Sequence, residues 1–400
     1  MIRHFAASLA LILFSLPALA FDTKAKAAYI MDQTTGTVLL AKNADQPLPP
    51  ASMSKLMTLY MAFEAVEKGV LDLNEVLPVS DHAAAYGGSS MFLDTTDRVK
   101  VEDLLRGIIV LSGNDASAVI AEALSPDGTE YGFARLMTQR AQQLGMTNST
   151  FTNSNGWPQA GHLMSLRDLG LLAQHLIEDF PQFYPLFKET EFVFDNRVPS
   201  NKYNRNPLLT MGIGADGLKT GHTSEAGYGL VGSATEGNRR IIFVLSGLDS
   251  EAVRAQEAEA IVNWAFRQFS QRQLGAAGTE IAQAPVALGA APSVGLELAR
   301  DLSVLVPVSG GQDTSAEVVY QSPFHAPLSK GQELAELVLT RDGLPEVRVP
   351  LVAAAAVAPG GFKVKVMAAA KHLLTRLNAG PRSETPAADT SESAGQEEAS

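Results

Sequence analysis

Three short groups of residues carry the chemistry that this sequence offers. Ser52-Met53-Ser54-Lys55 sets a hydroxyl and an amine three positions apart. On a helix that spacing puts Ser52 and Lys55 on one face, within mutual reach. Pro47, Pro49 and Pro50 precede them, so a stiff loop places Ser52 at a helix start. Free backbone N–H groups and the helix dipole favour a developing oxyanion there. A serine hydroxyl is a weak nucleophile and needs a base beside it. Lysine is such a base only when its ammonium is destabilised, by burial or by a second cation. Lys219, in Lys219-Thr220-Gly221, is the natural second cation. Lys219 and Thr220 also suit a substrate carboxylate, with one positive charge and one hydroxyl. Ser112-Gly113-Asn114 adds a hydroxyl that can pass a proton to a leaving amine, and an amide that can hold a substrate amide. The chemistry is acyl transfer to Ser52.

Taken alone, Ser-x-x-Lys means little, since roughly one such pair arises by chance in a chain like this. The other two triplets are rarer, and all three in this order form a specific pattern. Competing patterns are weaker. Gly212-x-Gly214-x-x-Gly217 fits a dinucleotide fingerprint, but it runs into Lys219-Thr220-Gly221 and reads as a tight bend. His-Glu-x-x-His and Gly-x-Ser-x-Gly are absent. His82, His162, His175, His325 and His372 show no metal spacing, so neither a metal nor a cofactor is expected. The chain has no cysteine, which excludes disulfides and a thiolate nucleophile.

The elements that must hold these groups follow from periodicity. Tyr29–Asp32 and Gly36–Leu40 read as strands around a turn. Met53, Leu56, Met57, Tyr60, Phe63 and Val66 recur at helical spacing over about Ser52–Lys68. Helical patterns return at Val101–Leu124, Tyr131–Leu144 and Leu166–Ile177. Two strands, Tyr228–Ala234 and Ile241–Ser246, flank a Gly237-Asn238 turn, and a helix covers Glu251–Phe269. Strands at both ends with helices between predict an α/β domain whose sheet joins its first and last segments. After Gly275, short alternating stretches with Gly, Pro and Asp-Gly turns predict a small all-β domain.

Composition bounds the partners. Of 400 residues, 46% are hydrophobic and 18% charged, which is globular composition. A net charge of −12 argues against nucleic-acid binding. Residues 1–20 read as a signal peptide, with Arg3, an apolar stretch and an Ala18-Leu19-Ala20 cleavage pattern. Export follows as an expectation. Residues 362–378 form a basic amphipathic helix, with Phe362, Val366, Met367, Leu373, Leu374 and Leu377 on one face. Lys363, Lys365, Lys371 and Arg376 are not offset by any acid in that segment. It reads as an anchor on an anionic membrane surface, too short and too charged to span. Residues 379–400 carry five acids against one Arg and read as a disordered tail.

The set Ser52-x-x-Lys55, Ser112-Gly113-Asn114 and Lys219-Thr220-Gly221-His222-Thr223 resembles the serine D-alanyl-D-alanine carboxypeptidases, the low-molecular-mass penicillin-binding proteins. Similar stretches include Gly88–Phe92, Arg106–Ile108, Ala226–Tyr228 and Lys330–Gln332, so the resemblance spans about residues 25–378. It implies an α/β (α+β) penicillin-binding, β-lactamase-like transpeptidase domain, then a small all-β domain and a C-terminal amphipathic helix. The residues themselves set the boundaries at 1–20 signal peptide, 21–275 peptidase domain, 276–358 β domain, 359–378 anchor and 379–400 tail. The resemblance implies that Ser52 is acylated by peptidoglycan stem peptides ending in D-Ala-D-Ala, that D-alanine leaves, and that β-lactams inhibit. It further implies Lys55 as general base and catalytic roles for Ser112 and Asn114. Lys219, Thr220, Gly221, His222 and Arg254 would bind substrate, with the N–H groups of Ser52 and His222 as oxyanion hole. The implied location is the periplasmic face of a bacterial inner membrane. Two features depart from the family: Asn155-Gly156-Trp157 stands where a His-Gly pair is more usual, and the acidic tail is extra.

Rival readings share these residues. A class A-like β-lactamase needs a Glu-directed water before Lys-Thr-Gly. Between Ala141 and Ile177 the only carboxylate is Asp168, which reads as a cap or core partner. A D,D-endopeptidase would use the same groups on cross-links. A wall-binding or penicillin-sensing scaffold would bind penicillin yet fail to turn over a D-Ala-D-Ala peptide.

Overall fold

The computed structural model describes residues 21–308, 314–341, 343–367 and 369–370. The expected leader 1–20, the end of the amphipathic helix from residue 371 and the acidic tail lie outside the described residues. The chain divides into two compact units. The first runs through Leu274 and takes in Ser303–Ala316 and Leu339–Val347; the second comprises Gly275–Leu302, Glu317–Val338 and the chain from Arg348.

In the first unit, β1 (Ala27–Asp32) and β2 (Thr37–Lys42) form a hairpin, followed by a 3-10 turn (Ala51–Ser54) and α1 (Lys55–Glu67). A short pair, β3 (Val76–Pro78) and β4 (Arg98–Lys100), flanks the four-residue α2 (Asp81–Ala84). Then come α3 (Val101–Arg106), α4 (Asn114–Leu124), α5 (Glu130–Gln143) and α6 (Leu166–Asp179). The chain returns to the sheet as β5 (Ala215–Thr223), β6 (Gly227–Glu236) and β7 (Arg239–Leu248), and α7 (Glu251–Gln268) follows. Strand order is β2-β1-β7-β6-β5, so the first and last segments do meet in one sheet. All its neighbours are antiparallel, with Ile30 opposite Phe243 and Lys219 opposite Val231.

Side-chain alternation explains why both faces of this sheet are covered. Tyr29, Met31, Val231, Ile242 and Val244 join the core of α1, α4, α5 and α6. Their neighbours Ala28, Ile30, Leu230, Phe243 and Leu245 join Ala258, Ile261, Val262 and Ala265 of α7. Serine and threonine hydroxyls start the helices: Thr129 accepts from Gly132 N, Ser165 from Asp168 N and Ser250 from Val253 N.

Three elements differ from their sequence expectation. The helix expected over Val101–Leu124 is broken: Gly107–Leu111 widens into a π turn and Ser112 sits left-handed at φ 62°. The bend at Gly212 and Gly214 opens a strand, β5, that carries Lys219-Thr220-Gly221. Hydrophobic alternation could not reveal it, because Gly217, Lys219, Thr220 and Gly221 interrupt the apolar pattern. Ser52 lies in a 3-10 turn before α1, not in the α-helix itself.

The second unit is all β. Glu280–Ala287 pairs with Ser293–Leu298, which continues onto Leu351–Ala353, while Phe324–His325 runs parallel to the first strand. Val286, Val294, Leu328, Ala353 and Val357 form its core. The backbone turns helical again at residues 362–367. Among the described residues, no helix is long and apolar enough to cross a membrane.

Candidate active site

The nucleophile's turn is set by backbone contacts. Ala51 takes φ 50°, and its carbonyl lies against Gly156. A Cβ on Gly156, itself at φ 83°, would sit 1.8 Å from that oxygen. Gly221 gives the strand side a looser but still tight approach, since a Cβ there would meet Met53 and the Pro50 carbonyl at 3.0 Å. Glycine at both positions lets a loop and the β5 edge close on Ser52.

Lys55 is completely buried, and its Nζ meets three groups. Ser52 Oγ lies at 3.0 Å, Asn114 Oδ1 at 2.7 Å and the Asn155 carbonyl at 2.6 Å. A neutral amine has two N–H donors and one lone pair. Two fixed carbonyl-type acceptors can take both donors, which leaves the lone pair for the Ser52 hydroxyl. Burial, reinforced by Arg205 and opposed by Asp115 and Glu130, pulls Lys55 down to about 7. Free base is therefore available near neutral pH.

Ser112 is placed by the break before α4, and Lys219 Nζ donates to its Oγ at 2.8 Å and to the Thr220 carbonyl at 3.2 Å. Lys219 is buried and held well below the usual lysine range, by burial first and then by Lys55, Arg205 and Arg254. Asn114 Nδ2 donates to the Gly87 carbonyl at 2.8 Å. A cavity of about 270 Å³ joins Ser52, Ser112, Thr220, Gly221 and His222 to Arg205 and Arg254. The His222 ring is exposed and stacks on Tyr228 with centroids 3.9 Å apart. All nine residues singled out in the sequence thus lie in or directly behind one cleft. One role shifts with the geometry. Lys55 and Lys219 act on each other as neighbouring cations, Arg205 acts on both, and the open cavity is lined by Arg205 and Arg254, while Lys219 stands behind Ser112.

Sequence reasoning missed several supports. Arg205 sits in a loop where no periodicity marks it, and it reaches Ser89 and the Leu111 carbonyl. Asp115 accepts from Ser90 Oγ, Met91 N and Leu93 N, tying Ser90–Leu93 to Ser112-Gly113-Asn114. Glu130 accepts from Ser154 N at 2.8 Å and from Asn155 Nδ2 at 3.3 Å, fixing the carbonyl that faces Lys55. His82 and Tyr86 cover its other oxygen at 2.7 and 2.6 Å. Asp115 adjoins a recognised motif and could have been flagged, but Glu130 is 75 residues from Lys55 and only folding joins them. Asp168 is occupied as a structural acceptor, taking Asn148 N at 2.8 Å and Ser149 Oγ at 2.7 Å. The dinucleotide-like glycines serve the sheet: a Cβ on Gly214 would meet the Thr235 carbonyl at 2.1 Å.

The sequence and the fold are similar to those of known proteins. A profile of the D-alanyl-D-alanine carboxypeptidase family matches residues 15–250. D-alanyl-D-alanine carboxypeptidase DacF of Bacillus subtilis is 33% identical over 345 residues, 85% of this chain and 87% of that protein. The chain belongs to the D-alanyl-D-alanine carboxypeptidase family. It is a peptidase hydrolase of that class. A profile of the C-terminal domain of penicillin-binding protein 5 matches residues 269–359. Penicillin binding protein 5 from Haemophilus influenzae superposes with a TM-score of 0.75 at 33% identity, over 85% of this chain and 99% of that one. Penicillin-binding protein D2 from Listeria monocytogenes, in its ampicillin-bound form, gives a TM-score of 0.55 at 31% identity, over 61% and 98%. The fold class read from the sequence, a penicillin-binding domain followed by an all-β domain, holds for this chain.

Proposed function

We propose that this carboxypeptidase removes the terminal D-alanine of peptidoglycan stem peptides through an acyl-enzyme on Ser52. Neutral Lys55 takes the Ser52 proton as Oγ attacks the penultimate carbonyl. The N–H groups of Ser52 and His222 receive the developing oxyanion. Arg254 and Thr220 hold the substrate carboxylate, and Gly221 leaves room for the chain beside them. Asn114 holds a substrate amide. Ser112, backed by Lys219, returns a proton to the leaving D-alanine amine, and water then releases the shortened peptide. A β-lactam acylates Ser52 by the same steps, a reading supported by the ampicillin-bound Listeria relative. The observation that carries the proposal is Lys55 Nζ, buried and pulled to about 7, at 3.0 Å from Ser52 Oγ. Glu130 has both oxygens engaged, so it does not offer the free carboxylate that a β-lactamase water needs. Export and a peripheral place on the periplasmic face of the inner membrane complete the reading, on the strength of residues 1–20 and 362–378. Ser52→Ala tests the core of it. D-alanine release and covalent penicillin labelling should both vanish, whereas labelling that persists would remove Ser52 as nucleophile.

A further inference from the structure

Two cavities meet at Ser52, and their charged linings differ: Arg205, Arg254 and Glu251 border one, Arg205 and Glu225 the other. The smaller carries Arg205 and Arg254, with Glu251 3.7 Å from Arg254 Nη2. The larger, about 730 Å³, passes Gly156, Trp157 and Pro158 and ends at Thr223, Ser224 and Glu225. Arg205 is the one lysine or arginine in that lining, and it is tied back to Ser89 and the Leu111 carbonyl. His222 also lines it, and its ring lies on Tyr228.

Glu225 also lines a neighbouring cavity of about 350 Å³ together with Trp157 and Pro158. Its carboxylate is exposed and makes neither a hydrogen bond nor an ion pair among the described residues. Trp157 keeps 44% of its surface exposed and meets Tyr86 ring edge to ring face. An indole face and a free carboxylate bordering the same two cavities suit an organic cation.

The sheet says which part of a substrate would arrive there. β5 is the outer strand, and it runs from Lys219 past His222 to Thr223, just before Ser224 and Glu225. A peptide laid antiparallel on that edge, with its carboxylate at Thr220 and its scissile carbonyl at Ser52, continues toward Thr223. The side chain of the residue preceding D-Ala-D-Ala is then directed into the Trp157–Glu225 end.

We infer that Trp157 and Glu225 form a cation subsite that selects peptides with a free side-chain ammonium on the residue preceding the terminal D-Ala-D-Ala pair. The inference rests on the carboxypeptidase reading above and adds a specificity to it. An exposed ion pair with an aromatic face is worth about a fivefold preference.

The test uses two peptides, Nα-acetyl-Lys-D-Ala-D-Ala and the same peptide acetylated on its ε-amine, with release of D-alanine measured. Wild-type protein should favour the free amine about fivefold in kcat/KM, and added salt should narrow the gap. Glu225→Gln should lower kcat/KM for the free-amine peptide and bring the ratio to about one. Because Glu225 is exposed and unpaired, its replacement leaves no buried group without a partner. Equal rates on both peptides in the wild type, or a preference that survives in Glu225→Gln, would overturn the subsite alone. No release from either peptide would overturn the carboxypeptidase reading, and the subsite with it.

Discussion

Lys55 shows how much of this site depends on one buried amine. Its folded value of about 7 lies well below the usual 10.5, with burial as the main cause. Between those values the unfolded chain holds a proton that the folded chain lacks. The contribution of Lys55 to stability therefore rises with pH from about 7 to about 10.5, and below about 7 its full penalty is present. Reactivity moves the same way for a different reason. The free-base fraction climbs about tenfold per pH unit below about 7 and levels off above it. Penicillin acylation should follow that curve. In Lys55→Arg the acylation rate should drop by at least about 100-fold and lose its rising limb, because Arg keeps its proton. A variant that keeps both rate and limb would make Lys55 a fixed charge only. Arg254 carries the second prediction at this scale. Its guanidinium lines the Ser52 cavity, whereas Lys219 is spent on Ser112. Arg254→Gln should cost at least about tenfold in kcat/KM for a peptide with a free terminal carboxylate, the scale of a lost charged hydrogen bond. An amidated terminus should lose far less, and equal losses would separate Arg254 from carboxylate recognition.

The elements succeed by closing backbone on backbone, and two glycines test that. Gly156 is left-handed, and a Cβ there would fall 1.8 Å from the Ala51 carbonyl oxygen. Gly128 is also left-handed, at φ 70°, but has open space around it. Gly128→Ala should cost about 1 kcal/mol of backbone strain. Gly156→Ala adds an overlap with main chain, and should cost about 3 kcal/mol or more while slowing penicillin acylation. Equal melting shifts for the two variants would show that the loop can yield without disturbing Ser52. The same contrast explains what the sequence could and could not reveal. The hairpin of β6 and β7 and the helices α1, α5, α6 and α7 were legible because their periodicity is set by covering the sheet. The motif residues were legible because Ser52 and Lys55, or Ser112 and Asn114, are neighbours in the chain. Strand β5 was hidden because its middle residues serve the cleft, not the core. The π turn before Ser112 was hidden because its apolar run also fits a straight helix. Arg205, Glu130 and the Asn155 carbonyl act across long sequence separations, so no local pattern records them.

At the scale of the whole molecule, charge distribution sets the last prediction. The chain carries −12, yet residues 362–378 hold Lys363, Lys365, Lys371 and Arg376 without an acid. Within the described part of that segment, Phe362 is 83% exposed and Met367 73%, so these apolar groups are not spent on the protein's own core. A helix that packed on its own domain would bury them. An interfacial helix instead inserts its apolar face and sets its cations against anionic lipid. The boundary for a clean truncation is written in the backbone. Ala290 N donates to the Ala358 carbonyl at 2.8 Å and Gly360 N to the Leu288 carbonyl at 2.7 Å, so a chain ending at Gly361 keeps both bonds. That form should retain full penicillin acylation and stay in the soluble fraction, while the full-length mature protein should sediment with membranes. The acidic residues after 378 weaken the attraction without cancelling it, since their charge can remain in water. Washing in high salt separates two modes of attachment. Retention in salt with release by detergent indicates insertion of the apolar face, and release by salt alone indicates charge attraction only. If the full-length protein is as soluble as the truncated one when both are assayed with membranes of anionic lipid, residues 362–378 are not an anchor.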